Sequence, residues 1–508
     1  MKTNFKVAML VIDILAALPL ARGTQEPLFR QLYAQIKDAI LRGTLGAGMQ
    51  LPPTRELARL LAVSRQTVLS AYDQLGAEGY LSGAVGKGTF ISEHLAQAGP
   101  QAIAATQAPM RPLSARGEAY ATAMESVGFH QGKLRPFRVS MPSLDLFPFD
   151  VWSRLEGRRW RHPDYHMGYS DPAGYAPLRE LLCVYLRASR GVNCTPEQVV
   201  ITSGSQQGLF LLSQLLLAPG DEVWVESPGY QGASAPLFAA GASVRTVPVT
   251  ADGMDVAYGI AHYPDARMVL ATPSHQLPLG VTMSLQRRLE LLRWAAAKRA
   301  WIIEDDYDSE YRYTGPPLAS LQSLDRAGCV LYVGTLSKVL FPGLRLGYIV
   351  APPALVEPVV RAKAVMDRHT AIVPQMVLAD FMADGHFGRH IRRTRDAYGE
   401  RRAALLDAIA SQLGGQVVVG PSDAGLDLAV HFLGGHDEAT VVARALELGI
   451  EARALAYYAN RSATPACAFA PGLLLGFSSL TTAQIRHGVE VLATVLATVP
   501  AKMPIAPH

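Results

Sequence analysis

Gly334-Thr335-Leu336-Ser337-Lys338-Val339-Leu340-Phe341-Pro342-Gly343-Leu344-Arg345-Leu346-Gly347 sets a lysine three residues after one hydroxyl and seven before an arginine, among small and apolar neighbours. Lysine is normally a solvated surface charge, so an apolar setting demands a reason. Burial lowers a lysine's pKa and makes available the neutral amine that a Schiff base requires. Thr335 and Arg345 supply the hydroxyl and guanidinium that hold a phosphate. Together they suggest pyridoxal 5′-phosphate (PLP) on Lys338.

Upstream, Ala300-Trp301-Ile302-Ile303 reads as a buried strand running into Glu304-Asp305-Asp306-Tyr307. Acids at the carboxyl end of such a strand sit where open α/β sheets bind ligands. A carboxylate there, taken as Asp305, pairs with a pyridinium nitrogen and keeps the ring an electron sink. Tyr307 donates to the ring oxygen. A second apolar strand, Val330-Leu331-Tyr332-Val333, leads to Lys338.

Residues from about 135 to 495 resemble the fold-type I, aspartate-aminotransferase-like domain, and the landmarks come in that family's order. Gly168-Tyr169-Ser170-Asp171-Pro172-Ala173-Gly174 resembles the segment whose tyrosine, here Tyr169, reaches the cofactor phosphate of the neighbouring subunit. Thr202-Ser203-Gly204-Ser205-Gln206-Gln207 follows the strand Val199-Val200-Ile201, so Ser205 and Gln206 are expected at a phosphate-cradling helix N-terminus. Glu226-Ser227-Pro228-Gly229-Tyr230 resembles the segment whose aromatic ring stacks on the pyridine, here Tyr230. Thr272-Pro273-Ser274-His275-Gln276 resembles the loop near the ring oxygen. Leu277 stands where the enzymes keep an asparagine, which leaves His275 or Gln276 to supply that hydrogen bond.

The front of the chain carries a different chemistry. Leu28, Leu32, Ile36 and Ile40 recur every four residues and predict a helix ending at Gly43. Pro52-Pro53-Thr54 opens a short second helix, and Ser64 caps a third from Arg65 to about Glu78. Gly79-Tyr80-Leu81, a tip at Gly83, Gly86 and Gly88, and Thr89-Phe90-Ile91 read as a β-hairpin wing. Three helices and a wing make a winged helix-turn-helix. Segment 28–93 resembles the GntR-type DNA-binding domain, which implies that Arg55, Ser64, Arg65, Gln66 and Thr67 face double-stranded operator DNA, with Lys87 and Gly88 on the wing. Seven Lys/Arg against five Asp/Glu in that segment leave only +2, so pattern rather than charge carries the reading.

The order of these parts looks like the MocR/GabR group of transcription regulators, whose vitamin B6-sensing, PdxR-like branch is one form. The expected fold is multidomain: an N-terminal segment (1–27), a GntR-type winged helix-turn-helix (28–93), a flexible Ala/Gln/Pro-rich linker (94–133), and an α/β PLP-dependent transferase of fold type I with large and small lobes (134–500). The resemblance implies a homodimer, since fold-type I sites are shared between subunits. It also implies a cytoplasmic regulator that binds operator DNA, PLP, and an effector that is PLP itself, an amine or an amino acid. The alternative is a working aminotransferase that carries a DNA-binding domain, with Lys338 as its catalytic residue.

The chain has 508 residues, 49% of them hydrophobic, and a net charge of +4, which supplies ample core and excludes neither nucleic acid nor anionic ligands. The four cysteines (Cys183, Cys194, Cys329, Cys467) lack metal-type spacing and read as reduced thiols, so no metal is expected. Lys2 and Lys6 precede an apolar run from Val7 to Leu20. Asp13 interrupts that run and Pro19 and Arg22 end it, which argues for a segment packing on the winged helix, or an overlong start, rather than a signal peptide or membrane anchor.

Two departures bear on the effector. The regulators of this group hold an amino-acid carboxylate with an arginine two residues after the stacking tyrosine, and here that position is Gly232. A second arginine belongs in a Ser-Arg-Tyr-type segment, and here Ala456 stands at its place in Arg453-Ala454-Leu455-Ala456-Tyr457-Tyr458. Arg453 or Arg461 is left as a substitute. The missing clamp points to an effector other than a plain amino acid.

Overall fold

The computed structural model describes residues 11–24, 26–84, 88–93, 111–123, 134–315, 318–459 and 469–499. Two compact units divide at Pro112–Leu113.

In the first unit the four-residue period forms α1 (Leu28–Leu41), with Leu32, Ile36 and Ile40 buried. Strand β1 (Gln50–Leu51), α2 (Thr54–Leu60) and α3 (Arg65–Ala77) follow, then the wing strands β2 (Leu81–Ala84) and β3 (Gly88–Ile91), in sheet order β1-β3-β2. Val68, Ala71, Tyr72 and Leu75 form the buried side of α3, and Val11 and Leu15 join the same core. Ser64 starts α3 because its hydroxyl accepts from the Thr67 amide at 3.0 Å, satisfying an N–H that the first turn leaves without a helical partner. Ser64→Ala is expected to cost about 1 kcal/mol of helix stability. Faster amide hydrogen exchange in the first turn of α3 is the readout.

Part of the stretch expected to be a flexible linker is helical in the second unit. Helix α4 (Ala115–Ala123) lies inside the stretch 94–133 that reads as flexible linker. Tyr120 packs against Phe210 at 5.7 Å between ring centroids, and Arg116 donates a hydrogen bond to Gln214. The segment shows no apolar period because its order comes from this docking rather than from an apolar face.

The main sheet has eight strands in the order β4-β11-β10-β9-β8-β5-β6-β7. They are β4 (Val199–Thr202), β5 (Glu222–Ser227), β6 (Ser243–Thr250), β7 (Gly253–Met254), β8 (Met268–Ala271), β9 (Trp301–Asp306), β10 (Val330–Thr335) and β11 (Gly347–Val350). From β6 to β10 the neighbours run parallel, while β11 is antiparallel to both β10 and β4. Helices cover both faces, so successive residues of one strand enter different cores. Tyr332 belongs to one cluster, while Leu331 and Val333 belong to another. That is why these strands read as unbroken apolar runs.

A smaller antiparallel sheet, β12 (Val417–Val419), β13 (Asp427–Phe432), β14 (Arg453–Ala454) and β15 (Gly472–Gly476), is ordered β12-β13-β15-β14. The long helices His386–Gln412 and Thr482–Thr498 pack on each other, and both contribute side chains to the core under this sheet. Cys183, Cys194 and Cys329 are buried free thiols. Among the described residues, no helix is long and apolar enough to cross a membrane.

Candidate cofactor site and DNA-facing helix

The carboxyl ends of β9 and β10 open into a cavity of about 330 Å³. Lys338 enters it just past β10, and its Nζ donates to the Ser140 carbonyl at 2.8 Å. Burial lowers the lysine's pKa, against the pull of Asp427, Asp308 and Asp305, so the neutral amine is brought within reach.

The three acids of β9 divide by strand alternation. Glu304 accepts from the Leu321 and Gln322 amides, both at 2.8 Å. Asp306 is paired with Arg190 at 2.7 Å and accepts from Tyr332. Asp305 alone lines the cavity, and its buried Oδ1 has no hydrogen-bond partner. Burial, with the charges of Asp306 and Glu226, pushes its pKa up to about 7.

The opposite end of the cavity is a cradle for an anion. Gly204, at φ +84°, turns the chain from β4 into the helix Ser205–Leu216. Ser205, Gln206, Thr335 and Arg345 all line the cavity there. Arg345 Nη2 donates to the Ser203 carbonyl at 3.0 Å, holding the guanidinium over the turn. A Cβ at Gly204 would lie 3.0 Å from that nitrogen, so glycine keeps the approach open.

Tyr230 and Tyr307 complete the wall. A Cβ at Gly232 would fall 2.4 Å from Tyr230 Cζ, so the missing arginine and the tyrosine's position are one fact: the ring occupies the space that a side chain at 232 would need. Gly232→Ala is therefore expected to displace Tyr230. An aromatic contact worth about 0.5–1.5 kcal/mol would be lost, roughly two- to tenfold in PLP affinity by fluorescence titration.

His275 and Tyr169 do not line this cavity. His275 is buried behind Tyr307, with Nδ1 3.0 and 3.1 Å from the two Asp308 carboxylate oxygens. Its direct contact with a ring oxygen gives way to this inner position because the imidazole packs into space kept by Gly425, where a Cβ would lie 2.1 Å from Cε1. Gln276 is likewise turned inward, donating to the Pro228 carbonyl at 2.7 Å. Tyr169 is 87% exposed.

Sequence reasoning missed Ser140, Asp427 and Asp308. Ser140 sits at φ +60°, and Asp427 holds it there by accepting from its amide at 2.7 Å and its hydroxyl at 3.0 Å. The strained turn aims the Ser140 carbonyl at Lys338. No local motif announces a contact across nearly two hundred residues. Arg453 does line the cavity, its guanidinium 4.3 Å from the Tyr457 ring centre. Arg461 lies outside the described residues.

In the first unit Arg55, Ser64, Arg65 and Gln66 are exposed, and Thr67 half-buried, around the start of α3. Arg65 Nε reaches Thr54 Oγ1 at 3.4 Å. Gly88 is exposed at φ +105°, where a Cβ would meet Gln50 at 2.5 Å, and Lys87 lies outside the described residues. Arg65→Ala is expected to weaken operator binding by about tenfold, read by fluorescence anisotropy, with cofactor binding unchanged.

The cavity fits PLP on its own chemistry, since a buried carboxylate oxygen without a partner, a lysine with a lowered pKa and an anion cradle line the same cavity. The two units thus define the class: a winged helix-turn-helix joined to an aminotransferase-type fold. Residues 28–91 match the family of bacterial regulatory proteins of the gntR type, and residues 162–492 match aminotransferase class I and II. The probable rhizopine catabolism regulatory protein MocR of Rhizobium meliloti is 37% identical across 95% of both chains. The pyridoxine biosynthesis transcriptional regulator PdxR of Corynebacterium glutamicum is 32% identical, covering 95% of this chain and 98% of that one. Among solved structures, LysN, the α-aminoadipate aminotransferase of Thermus thermophilus in complex with N-(5′-phosphopyridoxyl)-L-leucine, is 29% identical with a TM-score of 0.65, covering 71% of this chain and 91% of that one. The chain belongs to the MocR/GabR group of transcriptional regulators.

Proposed function

We propose that the protein is a PLP-dependent, sequence-specific DNA-binding transcription regulator that works as a homodimer, its aminotransferase-like domain sensing PLP or an amine or amino-acid effector. The observation that carries this reading is the unpartnered Asp305 Oδ1 on the wall that also holds Lys338. When bound, PLP supplies an aldehyde for the Lys338 amine and an electron-withdrawing ring. Asp305 would hold the ring nitrogen. Ser205, Gln206, Thr335 and Arg345 would hold the phosphate, with the partner subunit's Tyr169 in support.

PLP itself is the favoured effector. Gly232 and Ala456 leave the two usual arginine positions without a charge, and Leu277 packs with Leu455, Tyr458 and Leu474 into an apolar wall, while the substitute that does line the cavity, Arg453, has its guanidinium over the Tyr457 ring. A lost bidentate contact to a carboxylate is worth about 1.5–3 kcal/mol per hydrogen bond. Differential affinity of PLP for two arrangements of the regulator would then shift operator occupancy.

Titration calorimetry of cofactor-free protein, with operator binding measured alongside, tests this. Micromolar PLP binding that changes operator affinity is expected. Micromolar binding of 4-aminobutyrate with none of PLP would overturn the effector assignment. The second reading, a working aminotransferase, draws on the same Lys338, whose pKa burial lowers towards the range that suits carrying a proton. Keto-acid release from an amino acid in single-turnover assays would favour it.

A further inference from the structure

Behind the cavity wall lies a buried group that the cofactor reading does not use. His275 and Asp308 are 6% and 1% exposed, and neither lines the cavity. The two Asp308 oxygens lie 3.0 and 3.1 Å from His275 Nδ1, and the Tyr307 hydroxyl lies 3.0 Å from the same nitrogen. Tyr307 itself faces the cavity.

A ring nitrogen directed at a carboxylate carries a hydrogen, because a lone pair there would face two negative oxygens. Burial opposes a charged imidazole, yet Asp308 outweighs it and raises the pKa of His275, which keeps that proton in place. The Tyr307 oxygen beside the N–H is therefore an acceptor, and its own hydrogen must point elsewhere. The open direction is the cavity. Burial and the Asp308 charge also hold Tyr307 as a neutral phenol, so it remains a donor.

We propose that His275, held by Asp308, is a positioning residue that turns the Tyr307 O–H into the cavity, so that Tyr307 donates to the ring oxygen of PLP. The assignment rests on the cofactor reading above. It puts His275 one residue behind the ring-oxygen contact expected of it, acting through Tyr307.

The test is a double-mutant cycle on the full-length chain, with PLP as the probe and two readouts, its dissociation constant and the position of its bound absorption band. Tyr307→Phe is expected to weaken PLP binding by about three- to tenfold, the worth of one neutral hydrogen bond. His275→Leu should weaken it similarly and move the band in the same direction. In the Tyr307→Phe background it should cost nothing further. His275→Asn, whose amide nitrogen sits at the same bond distance from Cα as Nδ1, should restore both readouts. Should the leucine variant not fold, Asp308→Asn takes its place in the cycle. It releases the Nδ1 proton and should also lose its effect without the Tyr307 hydroxyl. Additive losses, or an asparagine variant no better than leucine, would overturn the proposal while leaving the cofactor reading intact. A wild-type chain that binds no PLP would overturn both.

Discussion

Replacing Lys338 with alanine is expected to abolish the near-visible absorption band of the PLP-loaded protein while leaving the fold and the winged helix unchanged. Among the described residues that line the cavity, Lys338 is the one primary amine, so no neighbour can take over the covalent linkage. Burial disfavours the charged form of this lysine, which limits what its removal takes from Asp427, Asp308 and Asp305, the carboxylates that pull the other way. The Ser140 carbonyl loses a donor, at a cost of about 1 kcal/mol that the domain's core absorbs. The anion cradle at Ser205 and Arg345 is untouched, so weak, reversible PLP binding should persist. Absorption spectra of both proteins, with operator titrations with and without PLP, decide the matter. A band that survives in Lys338→Ala would place the linkage on another residue. No band in either protein, even with added PLP, would leave the winged helix as the only working part.

How far these outcomes could be foreseen differs between the two halves of the site. The strand-borne half was legible because spacing and alternation are local. An apolar strand ending in Glu304-Asp305-Asp306 must send Asp305 to the face opposite its neighbours, and Lys338 follows β10 by three residues. The winged helix was legible for the same reason, since a four-residue period and a serine cap are local signals. The other half is built by contacts between distant segments. Asp427 holds Ser140 in a left-handed turn, and Asp308 holds His275 away from the cavity. Neither pairing leaves a trace in spacing. His275 shows the limit well: a loop histidine beside the cofactor segment is expected to touch the ring. Only the room left by Gly425 shows that it packs one layer deeper. The helix Ala115–Ala123 was hidden similarly, because a single tyrosine docked on Phe210 has no periodicity to detect.

Asp305→Asn is expected to change stability and cofactor affinity in opposite directions. Without the cofactor, Asp305 is a buried carboxyl with an unpartnered oxygen, its pKa pushed up to about 7 by burial and by the charges of Asp306 and Glu226. An acid whose folded-state pKa exceeds its unfolded value, about 3.9, keeps its proton longer in the folded chain. Its contribution to stability is then full below the unfolded value and is lost as pH rises towards about 7. The asparagine cannot ionise, so the cofactor-free variant should match the wild type near pH 4 and exceed it at and above pH 7, by about 1–3 kcal/mol, the usual penalty of an unsatisfied buried polar group. Glu226, Glu304 and Glu310 also have raised pKa values, but they are common to both proteins and cancel in the difference. With PLP present the order reverses. The variant loses a charge-assisted contact to the ring nitrogen, about 1.5–3 kcal/mol, or roughly ten- to a hundredfold and more in affinity. Thermal unfolding of both proteins across this pH range, with and without PLP, reads both effects. A variant that is more stable alone yet gains less from PLP would mark Asp305 as a group kept for the ligand at the expense of the empty fold. Equal PLP affinity in the two proteins would remove Asp305 from the role of ring-nitrogen partner, and an unchanged stability difference across pH would show that its carboxyl is not held protonated by burial.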